Sequence, residues 1–172
     1  MENAQILNKK ETRRILDQVT QQWACDTAPL EAMVFLKTKQ DKYYVARKEL
    51  FSFPLDQVRV SKLGMYFAEQ HKNALRVSIE GAQLLGPSAS RNVMVLDEEQ
   101  LQQWLRGESL TLEPSLAREQ QIDTSQVPAP GFVLIRHGDD FFGCGSYSKR
   151  TGQLTNYYPK IRRVQSITTS TD

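Results

Sequence analysis

At 172 residues, with 40% hydrophobic and 24% charged positions, the chain has the composition of an ordinary globular protein of one large or two small domains. No apolar run approaches the ~20 residues that span a bilayer, and MENAQILNKKETRR lacks the apolar core of a signal peptide, so membrane and secretory classes are not expected. Cys25 and Cys144 are too few for a disulfide framework and lack zinc-ligand spacing, which points to a reduced, cytoplasmic setting.

Taken in chain order, Asn8 followed by Glu11 has the form of a capping box. Behind it Ile15, Leu16, Val19 and Trp23 recur at helical spacing and predict an amphipathic helix over 9–23. MVFLKT (33–38) and KYYVAR (42–47) are β-rich runs joined by KQD, a hairpin. KELFSFPL is a short helical or irregular link stopped by Pro54. Leu75, Val77 and Ile79 alternate with Arg76, Ser78 and Glu80, the pattern of a strand with one wet face. GAQLL reads as a short helix, and GPSAS at 86–90 as the boundary between two units.

Past the boundary, NVMVL (92–96) reads as a strand and DEEQLQQWLRG as a compact helix. Asp97 is its cap with Gln100 three residues on, Leu101, Trp104 and Leu105 its buried stripe, and Gly107 its left-handed stop. SLTLEPSLAREQQIDTSQVPAPG is a long polar connection. FVLIRH and FFGCGSYS, separated by GDD, form a hairpin, and QLTNYY is the final strand, ended by Pro159. The elements add up to an α+β protein. A small α/β unit occupies 1–86, a mostly-β unit with one helix and the look of a small barrel occupies 91–165, and 166–172 is a tail.

The net charge of +2 is nearly neutral, but its distribution is not even. Residues 1–96 hold fourteen Lys/Arg and ten Asp/Glu, residues 97–123 two and seven, and residues 141–171 five basic residues and no acid. An acid-free basic end on a balanced chain marks a localised anion-facing surface. Within it, TNYYPKIRR places Lys160, Arg162 and Arg163 where they would neutralise phosphates. Tyr157 and Tyr158 should point to opposite sides, one ring in the core and the other exposed to stack on an unpaired base. Lys149 and Arg150 add to the same surface. Gly143 and Gly145 strip one strand face of side chains, either for barrel curvature or to let another backbone or a ligand approach.

Catalytic chemistry finds little support. Neither cysteine has a neighbouring His or Lys in sequence to lower its pKa, so both read as buried structural thiols. His71 and His137 are too few for a zinc site, and Asp139-Asp140 is a solvated turn. No GxGxxG or GxxxxGK[ST] occurs. No cofactor or metal is expected.

Two resemblances sharpen this reading. YYVARKEL, then VSKLGMYFAEQHKNALRVSIEGAQLLGP followed by a strand-rich unit, resembles the pre-PUA/PUA architecture of Nip-seven-like ribosome-biogenesis factors. LRGESL, GFVLIRHGDDFFGCGS and TNYYPKIRR resemble the helix end, hairpin and closing KNxYPKxLR motif of the RNA-binding domain in NOL/NOP/Sun-type rRNA cytosine-5 methyltransferases. Asn156, Tyr158, Pro159, Lys160 and Arg163 match that closing motif, and Gly143 and Gly145 the hairpin glycines. Thr155 stands where the motif has lysine, and Arg162 replaces an apolar residue. The methyltransferase's own cofactor glycines and Pro-Cys/Thr-Cys signatures do not occur. The resemblance implies a pre-PUA-like domain followed by a PUA-like RNA-binding domain. Together with the basic, ring-bearing end read from the residues, the expected RNA-binding set is Lys149, Arg150, Asn156, Tyr157, Tyr158, Lys160, Arg162 and Arg163. The resemblance also implies a non-catalytic protein acting on rRNA or tRNA, with ribosomal or RNA-modification proteins as further partners. The alternatives are a protein–protein adaptor in ribosome assembly, or an RNA-binding subunit serving a methyltransferase in trans.

Overall fold

The structure, a computed structural model, describes residues 4–53, 63–112, 121–122 and 131–165. Pro54, the SK of SKLGMYF, most of the 109–131 connection and the 166–172 tail lie outside the described residues. The first helix, α1 (Lys9–Trp23), begins as its sequence requires. Asn8 Oδ1 accepts from the Glu11 N–H at 2.9 Å, and Glu11 Oε2 accepts from the Asn8 N–H at 2.8 Å. Two of the orphan N–H groups of the first turn are thereby satisfied. Ile15, Leu16, Val19 and Trp23 all turn inward, each stabilising the fold by about 1.5–3 kcal/mol through burial.

After the four-residue α2 (Ala28–Glu31), α1 is covered by a five-stranded antiparallel sheet in chain order. Its strands are β1 (Gln5–Ile6), β2 (Met33–Lys37), β3 (Lys42–Arg47), β4 (Met65–His71) and β5 (Ala74–Val77). The β2–β3 hairpin stands where its sequence places it, with Lys37 opposite Tyr43. The alternating run ending at Ile79 behaves differently. The strand stops at Val77, and α3 (Ile79–Leu85) begins at once. Ser78 makes the switch: its Oγ accepts from the Gly81 N–H at 2.9 Å and donates to the Tyr66 carbonyl at 2.7 Å. Ile79 is buried as the first residue of the helix, just as the alternating pattern has it buried in a strand, so alternation alone does not reveal the cap.

The second sheet has the order β7-β11-β10-β9-β6-β8. It comprises β6 (Val93–Val95), β7 (Leu110–Thr111), β8 (Gln121–Ile122), β9 (Phe132–His137), β10 (Asp140–Ser148) and β11 (Gln153–Asn156). Among the described residues, only β6 and β9 run parallel. The expected helix is α4 (Glu98–Leu105), with the Asp97–Gln100 capping box formed; Leu101 and Trp104 are buried and Leu105 half-buried.

β9 explains why FVLI is apolar without alternation. Phe132 and Leu134 face one cluster, shared with Trp23, Phe35, Phe67 and Leu75 of the first unit, whereas Val133 and Ile135 face another with Met94, Trp104, Tyr147 and Leu154. A strand buried on both sides needs apolar residues at every position. The two sheets therefore share a core. The passage between them is pinned rather than loose: Ser90 and Arg91 donate their N–H groups to the Trp23 carbonyl, and the buried Asn92 donates its amide to the Gln22 carbonyl at 2.6 Å.

Both strand glycines turn out to serve packing. Gly143 sits at φ +86 in a bulge between Phe141 and Cys144, where a Cβ would reach the Ile79 side chain at 3.3 Å. The bulge bends β10 across the start of α3. A Cβ on Gly145 would strike Trp104 and Leu154 at 2.8 Å.

Candidate nucleic-acid interface

β11 ends at Asn156, two residues short of the expected strand, because the Asn156 side chain takes over the hydrogen bonding. Its Oδ1 accepts from the Tyr158 N–H at 2.6 Å. Its Nδ2 donates to the Trp104 and Glu108 carbonyls at 2.8 and 2.9 Å. Those carbonyls belong to the end of α4 and the turn after it, where i→i−4 helical partners run out and the Trp104 carbonyl is otherwise met by the Gly107 N–H. Arg163 adds to the same joint. Its guanidinium lies over Gly107 and its Nε donates to the Tyr158 carbonyl at 3.3 Å. The Val164 N–H donates to the Leu105 carbonyl at 3.1 Å. Gly107 itself is at φ +85, and any side chain there would displace Arg163. Asn156 and Arg163 thus dock the closing segment onto the C-terminal end of α4, where a cation is also favoured by the helix dipole.

Tyr157 and Tyr158 divide as expected even though the strand has ended. Tyr158 packs on the second core cluster, while Tyr157 is 37% exposed. Tyr157 is not a bare ring, however. Arg76 holds its guanidinium carbon 4.8 Å from the ring centroid, and Phe132 approaches edge-on at 6.0 Å. Arg76 is anchored in turn by Glu69 at 2.8 Å. Arg162, in the 3₁₀ turn Lys160–Arg162, forms an ion pair with Glu80 of α3. Burial works against the Glu80 carboxylate, but hydrogen bonds from its own backbone N–H and from Arg162 outweigh it and hold its pKa below the ordinary value.

These contacts enclose a cleft of about 510 Å³ between the first sheet and the closing segment, with Lys42, Tyr66, Glu69, Arg76, Tyr157 and Arg162 among its lining. Gly143 also borders it; Gly145 is absorbed in the packing of the second unit. Burial foremost, then the Glu69 carboxylate, pushes the Tyr66 pKa up, so its hydroxyl stays protonated and donates to Glu69 at 3.3 Å.

The remaining cations stand apart. Lys149 and Arg150 lie in the β10–β11 turn, and Lys160 lies beyond the opposite end of β11. All three are exposed and make no ion pair among the described residues. The eight residues proposed from sequence therefore fall into three sets. Lys149, Arg150 and Lys160 are available to a ligand, Asn156, Tyr158 and Arg163 are engaged in packing, Tyr158 also bordering the cleft, and Tyr157 and Arg162 face the cleft. Tyr66, Glu69, Arg76 and Glu80 were missed because nothing local marks them; they reach the closing segment only through tertiary packing.

The thiols are chemically quiet. Cys144 donates to the Val77 carbonyl at 3.2 Å, and burial pushes its pKa up to about 12 and that of Cys25 to about 11. His137 is held between the Leu96 carbonyl at 2.9 Å and Glu98 at 3.3 Å.

The second sheet and α4, closed by the YPKIRR segment, form a PUA-like domain within an α+β fold. Residues 91–164 match the family model described as the methyltransferase RsmF PUA domain, so this part of the chain resembles the PUA domain of Sun-type methyltransferases. The match covers under half of the chain. It ends at Val164, the residue bonded to Leu105. No curated protein matches the chain.

Proposed function

We propose that the protein is a non-catalytic, cytoplasmic RNA-binding protein that acts on rRNA or tRNA in ribosome biogenesis or RNA modification. The PUA-like domain makes the primary contact, and the N-terminal unit, read as pre-PUA-like on sequence resemblance, positions it. The observation that carries this reading is the PUA match over a region whose exposed cations Lys149, Arg150 and Lys160 have no acid to neutralise them among the described residues. Unpaired surface cations on such a domain are free to displace counterions from phosphates. Buried, protonated thiols agree with a binding rather than a catalytic role.

The test is RNA affinity of the Lys149→Ala, Arg150→Ala, Lys160→Ala triple variant, measured by fluorescence anisotropy against a structured rRNA fragment over a salt series. Affinity should fall, and the log–log salt slope should shrink by roughly 0.7–0.9 for each phosphate contact removed. Thermal unfolding should be unchanged. Unaltered affinity in the folded variant would refute the assignment.

A second reading, an RNA-binding subunit that serves a methyltransferase in trans, is favoured by the RsmF-type match and by Ile161, an apolar side chain 94% exposed between Lys160 and Arg162. Pull-downs with and without nuclease separate it from simple RNA binding and from an adaptor role: a methyltransferase or ribosomal protein retained after digestion is held by protein contact.

A further inference from the structure

The cleft between the two units has features that a phosphate-binding groove does not need. Lys42, Arg76 and Arg162 line it, but so do Glu69 and Glu80, each paired with one of the arginines. A bare phosphate driven between those carboxylates would meet like charge. What the cleft offers instead is planar and amphoteric. The Arg76 guanidinium lies over Tyr157, Tyr66 stands nearby, and carboxylate, hydroxyl and guanidinium groups supply both hydrogen-bond acceptors and donors. At about 510 Å³ the cleft is within the ~300–1,000 Å³ range of sites for small organic ligands. It is walled by both units, which suits it to a flat group entering between them. Lys160, one residue from Pro159 of the lining and without an ion pair among the described residues, stands at the same end of β11 to hold a neighbouring phosphate.

We infer that this cleft takes one unpaired nucleobase of the bound RNA, stacked on the Arg76–Tyr157 pair with its edge toward Glu69 and Tyr66. The inference rests on the RNA-binding reading above and names the part of the RNA that enters. A guanidinium plane and a tyrosine ring are both surfaces on which unstacked bases settle. Arg76 is a positioning and stacking residue here, not merely a charge, so replacing it with lysine separates the two roles.

The experiment uses a single-stranded oligoribonucleotide carrying one 2-aminopurine, and a blunt duplex of the same sequence. It compares the unmodified protein with Arg76→Lys and Tyr157→Ala, each checked by circular dichroism. The single strand should bind with quenched 2-aminopurine emission. Arg76→Lys, which keeps the charge and can keep the Glu69 pair, should weaken single-strand binding by roughly 5- to 100-fold, the loss of one stacked base, and abolish the quenching. Duplex affinity should not change. Equal binding of the single strand by folded Arg76→Lys and the unmodified protein, with quenching retained, overturns the inference while leaving salt-sensitive RNA binding intact. Absence of RNA binding by the unmodified protein overturns both this inference and the RNA-binding reading. Should Tyr157→Ala lose fold through its contact with Phe132, Arg76→Lys still decides the question.

Discussion

The two ends of β11 carry similar residues and do opposite things. At the β10–β11 turn, Lys149 and Arg150 project into solvent with no ion pair among the described residues. Beyond Asn156, two of three cations are committed: Arg162 to Glu80, and Arg163 to the Tyr158 carbonyl above Gly107. Lys160 alone has no ion pair there among the described residues. A run of basic residues is therefore not a uniform binding surface. A cation with a protein partner holds the segment in place; one without can serve a polyanion. The tyrosines divide less sharply: both line the cleft, but Tyr158 also packs on the second core cluster whereas Tyr157 is the more exposed.

The sharpest way to break this contrast is at Gly107. Gly107→Val forces a β-branched side chain to φ +85 and into the space of Arg163. It should cost about 2–4 kcal/mol by chemical denaturation and loosen the closing segment. Asn156→Ala, which removes the side-chain partner of the Glu108 carbonyl and the Tyr158 N–H and leaves the Trp104 carbonyl to the Gly107 N–H, should cost about 2–3 kcal/mol. A stability loss below ~0.5 kcal/mol there would mean that Asn156 is not the staple of that joint. Substituting alanine for Lys149 and Arg150 should do the reverse, moving stability by no more than ~0.5 kcal/mol while reducing RNA affinity.

A pH-dependent effect concerns Glu80. Because its folded pKa lies below the ordinary value, the stability it contributes is present in full above the unfolded carboxylate pKa of ~4.3. That contribution is lost as pH falls through the lower folded value. Glu80→Gln should flatten this part of the acid limb of a denaturation series and change neutral-pH stability by at most ~1 kcal/mol, as befits a partly exposed pair. An acid limb identical in both proteins would show that the Arg162–Glu80 pair contributes nothing.

How much of this was legible beforehand depended on range. The capping boxes at Asn8 and Asp97, the β2–β3 and β9–β10 hairpins and the apolar face of α1 were readable, since each is set by residues a few positions apart. Ile79 marks the limit of such reading: it continues an alternating pattern and yet starts a helix, because Ser78 finds the Tyr66 carbonyl twelve residues away. Gly143 and Gly145 were legible as unusual, but whether they made room for a ligand or for the protein's own Ile79, Trp104 and Leu154 depended on what the folded chain placed opposite them. The resemblance of TNYYPKIRR to a PUA closing motif led to the right domain, and a motif cannot sort its residues by partner.

By itself the sequence determined the local elements, the α+β class, the burial of both cysteines and the concentration of basic residues near the chain's end. Helix caps, strand alternation and charge runs are short-range properties, written in neighbouring positions. The tertiary structure alone decided which of those charges are available and where the cleft lies. An ion pair such as Arg162–Glu80 joins residues 82 positions apart, and the energy of a charge depends on what the fold brings beside it rather than on what precedes it in the chain.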